Sequence, residues 1–167
     1  MTTTPSLAHR LEPPLDHDWI AAHIPHSEAM CLLDEVVRWD DETIECSATT
    51  HRDAHNPLRL NGRLGAVCGV EYAAQAMAVH GAVRGAASGR PRAGFLASVR
   101  SVQTYVDRLD TFDAPLAVSA QRIGGDANTV LYRFTVRCGE PVLLEGRAAV
   151  ILDADTHAAA ATPSNDI

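Results

Sequence analysis

Ile44, Cys46 and Ala48 alternate with Glu45, Ser47 and Thr49. That period of two marks a strand buried on one face. Val130, Tyr132, Phe134 and Val136 repeat it. The pattern predicts strands over Thr43–Thr50 and Thr129–Cys138. Met30–Trp39, Ala93–Val106, Leu116–Ile123 and Val142–Leu152 read as further strands. Between them stand turn residues: Asp40-Asp41, Pro115, Gly124-Gly125-Asp126 and Gly139-Glu140-Pro141, the residue types that break or reverse a chain. Short connections make the last strands antiparallel. One segment departs from this rhythm. Leu64–Val83 reads LGAVCGVEYAAQAMAVHGAV, apolar or small at nearly every position. It is too long for an ordinary strand, and a helix apolar all round is an enclosed helix. Gly81 and Gly85 are expected to end it. Asp16–His23 reads as a short helix with Trp19 and Ile20 on its apolar side. Thr50–Gly62 carries charges, Asn56-Pro57 and Asn61-Gly62, and reads as loop.

Two strands, an enclosed helix and about four more strands make an α+β domain whose sheet wraps one helix. Residues 15–152 hold that single domain. Residues 1–14, with three prolines, and the alanine-rich 153–167 are expected to be flexible ends.

The composition excludes several functions. The chain has 167 residues, 14 Lys+Arg against 21 Asp+Glu, and a net charge of −7. Nucleic acid is not an expected partner, because such a surface needs basic residues to displace counterions. No apolar run approaches the roughly 18 residues of a membrane span. The N-terminus lacks the basic-then-apolar order of a signal peptide, so the expected location is cytoplasmic. None of Cys31, Cys46, Cys68 and Cys138 stands in a C-x-x-C pair. They read as buried, reduced thiols.

Polar groups on the enclosed helix are the candidates for chemistry, because burying them is costly. They are Glu71, Tyr72, Gln75 and His80. Glu71 and Gln75 are four apart and share a face. A desolvated Glu71 would have a raised pKa and could donate a proton; a solvent-facing glutamate at a helix start is the plainer reading. His26, His51 and His55 are candidate bases, while His80 reads as a packing or surface residue. The spacings His23-x-x-His26 and His51-x-x-x-His55 lack a third ligand, so no metal is expected. Gly65, Ala66 and Gly69 at the helix start either expose N–H groups to an oxyanion or permit close packing. Arg59, Arg63, Arg84, Arg90, Arg92 and Arg100 are a local basic excess. They could meet an acidic carrier surface or the phosphate of a pantetheine arm.

Ile24-Pro25-His26 with Leu32-Leu33-Asp34-Glu35-Val36 resembles the "LPH…LLxDxV" opening of the hotdog-fold 3-hydroxyacyl-acyl-carrier-protein dehydratases. Asn56-Pro57-Leu58 through Gly62, followed by Gly69-Val70-Glu71-Tyr72-Ala73-Ala74-Gln75, resembles their central-helix motif. The nearest likeness is to the FabZ-like, ApeP-like branch of aryl-polyene and xanthomonadin-type pigment clusters, and it covers about residues 17–152. The resemblance implies a hotdog dimer, homodimeric or heterodimeric, with sheets joined edge to edge and sites between subunits. It implies dehydration of a 3-hydroxyacyl thioester, carried on the phosphopantetheine of an acyl carrier protein, to the trans-2-enoyl thioester, without a cofactor. It makes Glu71 the helix carboxylate, with Gln75, Asn56, Gly65, Ala66 and Gly69 at the substrate. Fatty-acid dehydratases carry their catalytic histidine where this chain has Arg63. The base is then His26, with His55 as the alternative. Arg63 also leaves open a non-catalytic hotdog subunit supporting a partner dehydratase or synthase. An acyl-thioester hydrolase using the same carboxylate is the third reading.

Overall fold

The structure, a computed structural model, describes residues 11–26, 28–88 and 94–152. The expected flexible tail, most of the expected N-terminal segment, and Arg90 and Arg92 lie outside the described residues. Within them, a two-residue strand β1 (Leu15–Asp16) leads into α1 (His17–His23). Asp16 caps that helix, its carboxylate accepting the Trp19 N–H at 2.9 Å, which satisfies a donor at the helix start. Strands β2 (Glu35–Trp39) and β3 (Thr43–Ala48) come next. A 3-10 turn at Ala66–Cys68 then opens the long helix α2 (Gly69–Ser88). Strands β4 (Gly94–Thr104), β5 (Leu116–Gly125), β6 (Thr129–Cys138) and β7 (Val142–Leu152) follow.

Among the described residues the seven strands form one sheet in the order β1-β2-β3-β5-β6-β7-β4, and each neighbouring pair is antiparallel. The inward side chains of the central strands, among them Ile44, Val118, Phe134 and Leu144, form one core with Tyr72, Ala73, Ala76, Met77, Val79 and Val83 of α2. At Gly69 a Cβ would lie 2.3 Å from the Leu144 side chain on β7, so only glycine lets the helix start sit this close to the sheet. A long helix wrapped by an antiparallel sheet is the hotdog arrangement.

Several predicted boundaries move. The strand expected over Met30–Trp39 begins at Glu35, because the backbone before it is taken by side chains: Gln75 and Thr50 bind it at Met30 and Leu32. The helix expected over Leu64–Val83 starts at Gly69 and runs to Ser88. Leu64 is held back by the bonded bridge between Gly65 and Arg108. Gly81 and Gly85 do not stop the helix; the roughly 1 kcal/mol a glycine costs there is offset by burial of the surrounding face. The turn expected at Gly124–Asp126 falls one step later. Gly124 and Gly125 extend β5, and Asp126 closes the reversal by accepting the Asn128 and Thr129 N–H groups.

His80 is fully buried, as a packing residue, and so is His51. The His80 Nε2–H donates to the Asp40 carbonyl, and Nδ1 meets the Tyr132 hydroxyl, each at 2.9 Å. Nε2 of His51 donates to the Phe112 carbonyl at 2.9 Å. Burial holds both imidazoles below the usual histidine range. Both are therefore neutral in the fold, whereas the unfolded chain takes up their protons near pH 6.5. Stability is present above that value and is lost as pH falls through it toward the depressed folded values. The urea midpoint should fall steadily from pH 7 to pH 5, and the slope should be shallower in His80→Gln. A midpoint that is level or rises over this window contradicts the assignment.

Candidate functional site

The first turns of α2 carry the polar groups singled out in the sequence. Gln75 is fully buried, and its amide is satisfied on both sides. Its oxygen accepts the Leu32 N–H at 2.8 Å. Its nitrogen donates to the Met30 carbonyl at 2.7 Å and to Glu71 Oε1 at 3.0 Å. One side chain thus anchors the segment after His26 and fixes the carboxylate one turn earlier on the helix. His26 Nε2 meets the same Glu71 oxygen at 3.0 Å. The Glu71 and His26 side chains are 30% and 27% exposed, so the pair lies at an open margin of the single chain rather than deep in its core. Nδ1 of His26 is buried and has no hydrogen-bond partner among the described residues.

The other candidates divide. His55 does not join the pair: its ring is 96% exposed and lies 3.4 Å from Asp53. Asn56 is buried and structural. Its amide donates to the Thr50 carbonyl and the Tyr72 hydroxyl, and its oxygen accepts the Leu58 N–H. Tyr72, itself buried, also meets Thr50 Oγ1 at 2.9 Å, and that hydroxyl donates to the Leu32 carbonyl. This knot brings the loop, the helix and the segment after His26 together. Thr50 was not singled out by the sequence reading; a threonine in a polar loop gives no sign of its remote partners.

The oxyanion expectation is narrowed in the same way. The Ala66 N–H donates to the Asp107 carbonyl, and the Gly69 N–H to carbonyls of the preceding turn. Neither is free to hold a ligand oxygen in this state. Gly69 instead serves close packing, the alternative that its sequence position also allowed. Gly65 caps the 3-10 turn, and a Cβ there would meet nothing within 4 Å. The metal spacings do not converge: His23 is stacked on Trp19 and bonded to its carbonyl, while His51 points at Phe112.

The basic excess is also differently used. Arg59 and Arg108 clamp Asp110, with Arg59 Nη1 at 3.0 Å. Asp110 also accepts the Leu64 N–H, so the clamp ties the loop before α2 to the chain after β4. Arg108 beside Asp110 holds its carboxyl well below the ordinary 3.8. Arg59 further donates to the carbonyls of His51, Asp53 and Gly62. It is a loop staple rather than a phosphate receptor. Arg63 and Arg100 are exposed.

Comparison with known proteins agrees with this architecture. Residues 19–161 match the ApeP-like family, described as ApeP dehydratase. A search of curated proteins gives no match. Among solved structures, the chain is similar to the dehydratase heterocomplex ApeI:P from Xenorhabdus doucetiae, at 22% identity and TM-score 0.75, covering 89% of this chain and 99% of that one. It is also similar to a mutant thioesterase, PA1618, from Pseudomonas aeruginosa, at 14% identity and TM-score 0.59 over 86% and 96% of the two chains. The PaaI protein of the E. coli phenylacetic acid degradation operon has 12% identity and TM-score 0.57 over 81% and 88%. At these identities the structural likenesses establish the hotdog fold.

Gln75→Met keeps the volume but leaves a buried N–H and a buried carbonyl without partners, each worth about 1–3 kcal/mol. Its melting temperature should fall by roughly 5–10 °C. The histidine NMR signal of His26 should also move, as Glu71 loses its support. An unchanged melting temperature and spectrum would show that the amide does not hold the site.

Proposed function

The chain belongs to the ApeP-like dehydratase family, and we propose that it removes water from a 3-hydroxyacyl thioester carried by an acyl carrier protein, with His26 and Glu71 as the acid–base pair. The observation that carries this reading is the 3.0 Å contact between His26 Nε2 and Glu71 Oε1 at the start of the enclosed helix. The thioester carbonyl acidifies the C2 hydrogen. Neutral His26 takes that proton, and Glu71, in its acid form, protonates the leaving hydroxyl at C3. The C2–H and C3–O bonds break, C2=C3 forms, and water departs. His26 is left protonated and Glu71 ionised. The direct contact between them then returns the proton to Glu71, so the pair resets without solvent. His26 in the Ile24-Pro25-His26 turn supplies an imidazole that Arg63 does not. The pigment-type aryl polyenes of the family's name-bearing branch are the acyl class this reading favours.

A second hotdog subunit, identical or related, completes the site in this proposal. β4 is the last strand of the sheet and exposes Phe95, Leu96 and Val102. An edge strand with exposed apolar residues is a template for pairing. Leu60 and Val67, which flank the start of α2, are 75% and 64% exposed. A subunit covering them would also withdraw the His26–Glu71 pair from water. The chain should therefore sediment as a dimer, alone or with a related hotdog subunit. Leu96→Lys combined with Val102→Lys should yield monomer with little turnover. A wild-type protein that is monomeric and fully active would remove the two-subunit site.

Incubation with a 3-hydroxyacyl thioester of carrier protein or N-acetylcysteamine tests the chemistry, read by mass spectrometry as loss of water. Glu71→Gln and His26→Ala should each reduce turnover at least about 100-fold, within the range that proton-transfer groups contribute, while His55→Ala leaves it unchanged. Release of free thiol without enoyl product would overturn the dehydratase reading in favour of hydrolysis.

A further inference from the structure

The outer face of the sheet holds a row of like charges. Arg133 on β6 lies directly opposite Arg147 on β7, and Arg147 lies directly opposite Arg100 on β4. Residues opposite one another in an antiparallel pair project from the same face, with Cβ atoms about 4.5–5.5 Å apart. All three arginines are exposed, and among the described residues none has a carboxylate at ion-pair distance. The row continues through neutral Gln121 on β5 and Thr43 on β3. The acids on the same face are engaged: Glu45 pairs with Arg38, and Glu145 accepts the Tyr105 hydroxyl. A groove of about 590 Å³ borders the row, lined by Arg38, Glu45, Ser119, Arg133, Thr135 and Arg137.

Like charges facing each other across strands destabilise a sheet. In a chain with net charge −7, three in succession are a cost that a bound anion would relieve. The spacing points to the form of that anion. Strands are about 4.8 Å apart, and acidic residues at i, i+4 and i+7 of a helix recur about every 5.4 Å along one face. A helix lying across β6, β7 and β4 would bring one carboxylate to each arginine, in the two-pronged geometry that guanidinium favours.

We propose that the row Arg133–Arg147–Arg100 is the docking surface for an acidic α-helix of the acyl carrier protein. This rests on the carrier-bound substrate proposed above and adds where the carrier binds. The row ends on β4, so edge-to-edge pairing of two subunits would set both rows beside one seam and widen the acidic partner's landing area.

The test uses the full chain with Arg133→Gln and Arg147→Gln together, and Arg133→Glu with Arg147→Glu as the stronger variant. Neither touches His26 or Glu71. For the carrier-bound 3-hydroxyacyl substrate, KM should rise about tenfold or more, with kcat held, because charges at a docking rim act on encounter. KM for the N-acetylcysteamine thioester should not change. The wild-type carrier KM should climb between about 50 and 300 mM salt, and that of the variants should not. The glutamine variant should melt no lower than wild type, since it relieves repulsion. An unchanged carrier KM, or equal losses on both substrates, overturns the docking surface. If wild type turns over neither substrate, alone or with a related hotdog subunit, the dehydratase reading has failed. Binding of holo carrier protein to immobilised wild type and variant then decides the docking on its own: equal affinity overturns it, and loss in the variants supports it.

Discussion

A buried amide with every hydrogen bond satisfied governs this molecule's candidate site. Gln75 has no contact with solvent, so any unpaired end would carry the full penalty of desolvation. The fold avoids that penalty by keeping the Met30–Leu32 backbone out of a strand and lying it against the helix. Because that backbone is pinned, the turn carrying His26 is pinned with it. Because the same nitrogen reaches Glu71, the carboxylate has one preferred orientation. The positions of the His26 imidazole and the Glu71 carboxylate are therefore two results of a single constraint, and they are coupled through the enclosed helix.

Around that centre, two polar knots hold the approaches. Tyr72, Thr50 and Asn56 join helix, loop and the post-His26 segment. The Arg59–Asp110–Arg108 clamp joins the loop before α2 to the chain leaving β4. Neither knot touches the His26–Glu71 pair in this structure. Each removes freedom from backbone that borders it, which is how an apolar helix can present polar chemistry at a defined place.

The fold was readable wherever burial imposed a simple period. β3 and β6 show it, and α2 shows its absence. The site was readable in part. Glu71 and Gln75 stand out because they are polar on an apolar helix, and His26 stands out by its motif. Local pattern could not separate His26 from His55, since both are loop histidines and only tertiary placement brings one to the carboxylate. Nor could it show that Met30–Leu33, apolar like a strand, is bonded by side chains. Asp110 stayed silent for the same reason: its partners Arg59 and Leu64 lie far along the chain. Arginine count was visible, but the use of each arginine was not. Arg59 is consumed inside a loop, and Arg133 and Arg147 become neighbours only once the register of β6 and β7 is set.

The edge strand β4 has a consequence for the newly made chain. Its ladder to β7 shifts between Leu96 and Ser98 and again between Arg100 and Gln103, and Ser101 sits at φ 53, in the left-handed region. Such irregularities twist an edge away from flat continuation. A regular edge would accept any extended peptide and seed open-ended fibres. The broken ladder and the left-handed Ser101 make this edge a poor template for an arbitrary flat strand, so the irregularity itself guards the newly made chain against open-ended stacking.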